Sequence, residues 1–496
     1  MKLSVLAATL LLTLATPTFS VPIEQAAESS GDGTPTTTAS APAESSSDGS
    51  ASSSSAAPTA SSSSSPGDGG DSDLAAWIEE ETAFAQKGMF ANFNPEGSVP
   101  GFIAASPSKD QPDYFYAWTR DSSLTIRSAL HVYNTSPSEE VAGYLEDFVT
   151  FQVNAMGQKT ECDCLGEPKF NADGSSFTGP WGRPQNDGPA ERASAMVLVA
   201  EALGDNSTIG EEIKAAIKKD LDYVVETWQT PCFDLWEEIS SVSFFTLMVM
   251  RKGLTDGAKF LGDDSYTSTA SEIEAKLKTF VGDKGYIEAS QDRDGGLDYK
   301  TSGLDTSTLI AANVASLGDG FYTPGSDAIL ATSLAIKESM ADLYAINADS
   351  ESEGISYAIG RYPEDKYDGI GNSIANPWFL CTLAFAETYY RAIEEWKSAG
   401  SIEVTATSAA FFKQFDSGAA EGTTYKADSE EFDAVIKGVA AEADTYFKRV
   451  QKHAINNEMS EQFNKDTGEE TGAKNLTWSY AAFITAAAAY SGKPAA

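Results

Sequence analysis

Pro189-Ala-Glu-Arg-Ala-Ser-Ala-Met-Val-Leu-Val-Ala-Glu-Ala-Leu203 reads as a helix with almost no polar face. Such a helix has to be buried. Residues 376–393 and 476–490 read the same way. Between these stretches lie amphipathic segments. Residues 136–139 (Ser-Pro-Ser-Glu) predict a capping box with Pro at the first helical position, followed at helical spacing by Val141, Tyr144, Leu145, Phe148 and Val149. Thr208 with Glu211 predicts a second helix start, ahead of Ile213, Ala216, Ile217, Leu221 and Val224. Asp428 with Glu431 predicts a third, ahead of Phe432, Val435, Ile436, Val439, Tyr446 and Phe447. About a dozen helical segments, buried ones interleaved with amphipathic ones, predict an all-α fold with an inner ring of helices inside an outer ring. The connections 91–118, 157–188, 282–306, 346–375 and 454–475 are long and rich in Gly, Asp, Trp and Tyr. Long loops in a compact domain are usually functional.

Residues 1–20 have one charge, Lys2, then an apolar run and small residues, the pattern of a secretory signal. Residues 21–72 are dominated by Ser, Thr, Ala, Gly and Pro. They have little apolar surface to offset ordering entropy, and read as a disordered O-glycosylated stalk or a propeptide. Residues 73–496 are expected to form one catalytic domain, and an exported, extracellular protein is expected, with wall association as a variant of that reading.

The formal net charge of -39 repels nucleic acid and anionic lipid and suits a neutral substrate. No stretch is apolar for long enough to span a bilayer. Two histidines, His131 and His453, argue against a His-rich zinc site and a Ser-His-Asp triad, so carboxylates must carry any acid–base chemistry. Asp292-Arg-Asp-Gly-Gly-Leu-Asp298 has acidic spacing like a calcium loop but lacks the distal Glu, and reads as an acidic turn. No metal or cofactor is expected. Of the four cysteines, Cys381 lies in an apolar run and is expected to be a buried thiol, leaving Cys232 to pair with Cys162 or Cys164. Asn134 and Asn206 head glycosylation sequons in predicted connections. Asn475 heads a third, directly before a buried helix, where use is not expected.

The densest chemistry lies in Cys232-Phe-Asp-Leu-Trp-Glu-Glu-Ile239, where Asp234, Glu237 and Glu238 surround Trp236 ahead of an apolar run. An acidic first helical turn would be ordinary. An indole beside a carboxyl group, however, excludes water and favours the protonated form that a general acid needs. Tyr114-Phe-Tyr-Ala-Trp-Thr-Arg-Asp121, the Trp181–Arg183 loop and Arg361 near Trp378 repeat the combination of rings with Arg and Asp. Rings stack on sugar faces, while Arg and Asp bind hydroxyls.

The motifs YAWTRDS, GEPKFNADGSSFTGPWGRPQNDGPA, DLWEE, GRYPED, NPWFLC and SEQF…LTWSYAA together resemble the fungal glucoamylases, glycoside hydrolase family 15, across about residues 75–490. The resemblance implies an (α/α)6 barrel of six inner and six outer helices. It also implies an inverting, exo-acting enzyme that releases β-D-glucose from the non-reducing ends of starch and maltooligosaccharides, at α-1,4 bonds and more slowly at α-1,6 bonds. By the same resemblance Glu237 is the general acid and Glu461 the general base. Arg120 and Asp121 hold the terminal glucose with help from Arg361. Tyr114, Trp118, Trp181, Trp236, Trp378 and Trp478 form aromatic walls, with Glu238 and Arg183 supporting the next sugar. A monomer is expected. There are departures from the family pattern. Many relatives carry a C-terminal starch-binding domain, which is not expected here. Asn475 stands where Asp is usual, and Gly472 where relatives have a Ser whose hydroxyl would lower the pKa of the base. Two other readings remain: an exo-α-glucosidase for isomaltose- or trehalose-type bonds, and an inactive sugar-binding wall protein.

Overall fold

A computed structural model describes residues 72–204 and 210–495, so the signal-like and Ser-rich stretches lie outside the described residues. The helices are α1 (Ser72–Phe90), α2 (Thr119–Thr135), α3 (Glu139–Met156), α4 (Asp187–Leu203), α5 (Gly210–Thr227), α6 (Phe244–Leu261) and α7 (Ser265–Leu277). They continue as α8 (Ser307–Ala315), α9 (Asp327–Met340), the single turn α10 (Ser350–Glu353), α11 (Phe379–Ala399), the single turn α12 (Ala409–Phe412), α13 (Glu430–His453) and α14 (Thr477–Tyr490).

Packing closes α2, α4, α6, α8, α11 and α14 into a ring, each against the next and α14 back against α2. The outer helices α1, α3, α5, α7, α9 and α13 cover it. The physical cause is the one read from the sequence. Helix α4 buries Ala190, Ala193, Met196, Val197 and Val199, and even Glu191 and Arg192. Outer α13 buries one stripe, Phe432, Val435, Val439, Tyr446, Phe447 and Val450, and leaves its other face wet. Arg192 is kept inside by a bidentate pair with Asp220 of α5 at 2.8 and 2.6 Å, which ties the two rings together.

Two helix starts fall later than expected. Ser138, not Ser136, caps α3 by accepting from the Val141 N–H, and Ser429, not Asp428, caps α13 through Phe432. Each choice puts two glutamates in the first turn, where the helix dipole favours them. Thr208 and Asn206 lie outside the described residues. Asn134 is exposed near the end of α2.

Connections from inner to outer helices are mostly short, whereas those entering the inner helices are long and carry small sheets. Strand β1 (Ala117–Trp118) pairs with β2 (Lys169–Phe170). A three-stranded sheet joins β3 (Cys232–Phe233), β4 (Ile239–Ser243) and β5 (Ser290–Gly296). Strands β6 (Ser401–Glu403) and β7 (Thr424–Lys426) form another pair, and β8 (Gln462–Phe463) pairs with β9 (Glu470–Thr471) just ahead of α14. The acidic stretch 292–298 therefore supplies most of a strand, β5. All of the long entries gather at the same ends of the inner helices, and that end is where the chemistry collects.

The disulfide expectation is corrected. Cys162 and Cys164 are bonded to each other, and Cys232 is a buried free thiol, as is Cys381. Cys232 is committed to β3 opposite Ser241, with its thiol near the Asn186 amide and Thr246, and burial pushes it up to about 12.

Candidate active site

The segment 234–238 is the tip of the β3–β4 hairpin, not the first turn of a helix; α6 begins only at Phe244. Asp234 shapes the tip. Its carboxylate accepts the N–H groups of Glu238 (2.9 Å) and Ile239 (3.2 Å), and its carbonyl accepts that of Glu237 (2.8 Å). Glu237 sits at φ +67°, a left-handed conformation that is uncommon outside glycine and concentrated at functional sites. Behind the tip, Gly296 (φ +84°) lies so close that a Cβ there would meet the Glu238 carbonyl oxygen at 2.0 Å.

Glu237 is held by one of its oxygens. Its Oε1 accepts from Trp118 Nε1 at 2.7 Å and Gln185 Nε2 at 2.9 Å, with Arg120 Nη2 at 3.8 Å. The indole beside this carboxyl is thus Trp118. Trp236, the expected wall, instead donates to Asp305 at 2.9 Å and stacks against Trp478 at 26° with centroids 6.4 Å apart. Asp305 is in turn paired with buried Lys300.

Buried Arg120 bonds Gln185 and Asp187, both at 3.0 Å, and lies 3.4 Å from Asp121. Burial raises Asp121 to about 6 against the pull of that guanidinium. Asp121 Oδ2 and Arg120 Nε have no hydrogen-bond partner.

Glu461 is fully buried. Its Oε1 accepts from the Tyr114 hydroxyl at 2.9 Å, and its Oε2 from Gln462 Nε2 at 3.1 Å. Tyr114 also meets Tyr367 at 3.0 Å. Burial pushes Glu461 up to about 7, opposed by the Tyr114 hydrogen bond and the Arg361 charge. The Tyr114 ring lies 5.5 Å from that of Trp118, so two touching aromatics join the Glu461 and Glu237 contacts into one site.

Gly472 does face Glu461, but not as an open place for a hydroxyl. At φ +74°, a Cβ there would stand 2.5 Å from Glu461 Oε2, so serine on this backbone would displace that carboxylate as well as offer it a donor. Asn475 accepts from the Tyr480 hydroxyl at 2.7 Å, which engages the side chain a glycan would need.

Arg361 bridges the third side. It bonds Asp365 through two nitrogens (2.7 and 2.6 Å) and Glu238 at 2.7 Å, and its guanidinium lies 5.3 to 5.4 Å from the ring centroids of Trp236, Tyr367 and Trp378. Glu238 also accepts from Tyr362 at 2.6 Å, and burial raises its pKa. Arg183 is turned to its own loop, bonding Glu167 at 2.7 Å and the carbonyls of Gly179 and Phe177. That loop presents Trp181, which is 39 % exposed. Gln185, Asp187, Lys300, Asp305 and Tyr367 were not singled out from sequence. The motif GPWGRPQND held the first two in plain view.

Two carboxyl groups held differently, one on a hairpin tip and one fully buried, stand among indoles and a buried Arg–Asp ion pair at one end of a double ring of helices. Together they define a carbohydrate-cleaving hydrolase. The model for "Glycosyl hydrolases family 15" matches residues 83–488, and the chain belongs to that family. It is 48 % identical to "Glucoamylase 1" of Rhizopus oryzae over 86 % of this chain and 73 % of that protein. The solved structure of a family 15 glucoamylase from Hypocrea jecorina superposes with a TM-score of 0.79 at 33 % identity, covering 85 % of this chain and 73 % of the other. The glucoamylase of Saccharomycopsis fibuligera gives 0.78 at 29 % identity, covering 84 % and 96 %. These relatives carry the (α/α)6 barrel, as this chain does.

Proposed function

We propose that this protein is a glucoamylase: an inverting exo-glycosidase that takes single β-D-glucose units from the non-reducing ends of starch and maltooligosaccharides. Its family and its relatives' activity support the reaction class. The observation that carries the mechanism is the unequal hydrogen bonding of the two glutamates. Glu237 Oε1 already accepts two N–H donors, so Oε2 is the oxygen left to carry a proton to the glycosidic oxygen. Glu461 receives donors on both oxygens, Tyr114 on one and Gln462 on the other, and these favour its carboxylate form. An ionised Glu461 takes the proton of the attacking water on the face opposite Glu237. Inverting enzymes keep the two carboxyls about 6.5–9.5 Å apart to leave room for that water.

Arg120 and Asp121, an ion pair at 3.4 Å whose Nε and Oδ2 make no hydrogen bond, suit hydroxyls of the terminal glucose, and the Trp236, Trp378 and Trp478 cluster forms its apolar wall. Trp181 offers an open ring face to the sugar that leaves. The enzyme works as a monomer and is exported, the latter reading resting on residues 1–20. No helix among the described residues is long and apolar enough to cross a membrane. Chromatography of an early digest of soluble starch should show glucose as the sole small product. Early maltose or longer maltooligosaccharides would contradict an exo-acting, glucose-releasing enzyme.

A further inference from the structure

Lys169 stands directly across from Trp118 in the β1–β2 pair and is 2 % exposed. Its ammonium lies over four rings: Trp181 at 3.3 Å, Phe177 at 4.3 Å, Tyr116 at 4.4 Å and Trp118 at 4.5 Å from their centroids. Among the described residues it makes no ion pair or hydrogen bond, so these π faces are its partners. A buried cation without a paired carboxylate is costly, and π faces recover only part of that cost. Two of the rings belong to the reacting end of the site. Trp118 donates to Glu237 at 2.7 Å, and Trp181 is the exposed ring.

We propose that Lys169 is a positioning residue of the acid site: its ring-caged ammonium fixes the indoles of Trp118 and Trp181 and keeps a positive charge beside Glu237. This rests on Glu237 being the general acid. One face of Trp181 is taken by the ammonium, which sets the ring's angle and leaves the other face for the departing sugar. As Glu237 gives up its proton it becomes a carboxylate, and the nearby cation stabilises that developing charge.

Burial pushes Lys169 down to about 8; the carboxylates of Glu237, Asp113 and Glu167 oppose the shift, and Arg183 adds to it. Lys169 is thus charged at neutral and acidic pH. The other charges facing Glu237 are Arg120, Asp121 and Asp187, and none of these changes when Lys169 is replaced.

The test is the pH profile of kcat/KM on maltose for the wild type, Lys169→Met, Lys169→Arg and Glu237→Gln. Met fills the cage without charge, whereas Arg keeps the charge at some cost in fit. The cation favours the carboxylate that forms as the proton leaves, so Lys169→Met should move the alkaline limb up by about half a pH unit and lower kcat/KM about tenfold, leaving the acidic limb in place. Lys169→Arg should keep the alkaline limb even if its rate falls. An alkaline limb that is unmoved in Lys169→Met, or moved equally in both variants, overturns the proposal if Glu237→Gln is inactive. An active Glu237→Gln instead overturns the assignment of the acid, and the proposal falls with it.

Discussion

Glu237→Gln should lower kcat on maltose by about 10³-fold while leaving sugar binding nearly unchanged, because a positioned general acid contributes about 10²–10⁴ in rate. The amide keeps the size of the side chain. Its oxygen can still accept from Trp118 and Gln185, which meet Oε1 at 2.7 and 2.9 Å in the native hairpin. What it cannot do is give a proton to the leaving oxygen. The loss therefore belongs to kcat, with KM little altered, the pattern of an interaction made only in the transition state. Isothermal titration with an unhydrolysed sugar analogue separates the two. Turnover near the native rate would remove Glu237 from the role of acid.

Glu461→Gln is expected to cost about 10²-fold or more in kcat/KM, since the attacking water loses its base. Its effect on pH dependence is more telling than its size. Burial raises Glu461 to about 7, so the carboxylate needed for catalysis is lost as pH falls through a value above the ordinary glutamate range. In the native enzyme kcat/KM should decline on that side, and the decline reports the base in the free enzyme. In Glu461→Gln the base no longer titrates, so the acidic limb that it sets should vanish from what activity remains. An intact acidic limb in this variant would place the base elsewhere.

The inner helices were legible because burial leaves no polar face. The apolar stretch at 189–203 became α4 with its start displaced by two residues, and 476–490 became α14 displaced by one. Strands of two residues, such as β3 and β8, are too short to show a period, so the hairpin carrying Glu237 was hidden behind an apolar run that looked like one helix. Glu461 could not be told from its neighbours by residue type. The structure separates them by environment: Glu458 and Glu469 are exposed, and Glu470 bonds the Ser460 N–H and hydroxyl at 2.9 and 2.7 Å. Only Glu461 is fully buried, with donors on both oxygens. Lys169 looked like an ordinary lysine because its four rings come from separate positions, 116, 118, 177 and 181, which the β1–β2 pairing and the following loop draw together. The disulfide was missed for a related reason: the β3–β4 pairing that places Cys232 opposite Ser241 has no signature in cysteine spacing.

In the proposed mechanism water attacks from the side of Glu461 while Glu237 protonates the opposite side. Proton NMR of the first glucose released from maltotriose, recorded before mutarotation, reads that geometry directly. β-Glucose is expected as the initial anomer, inverted from the α bond. Initial α-glucose would mean retention through a covalent intermediate and would contradict the roles given to both glutamates.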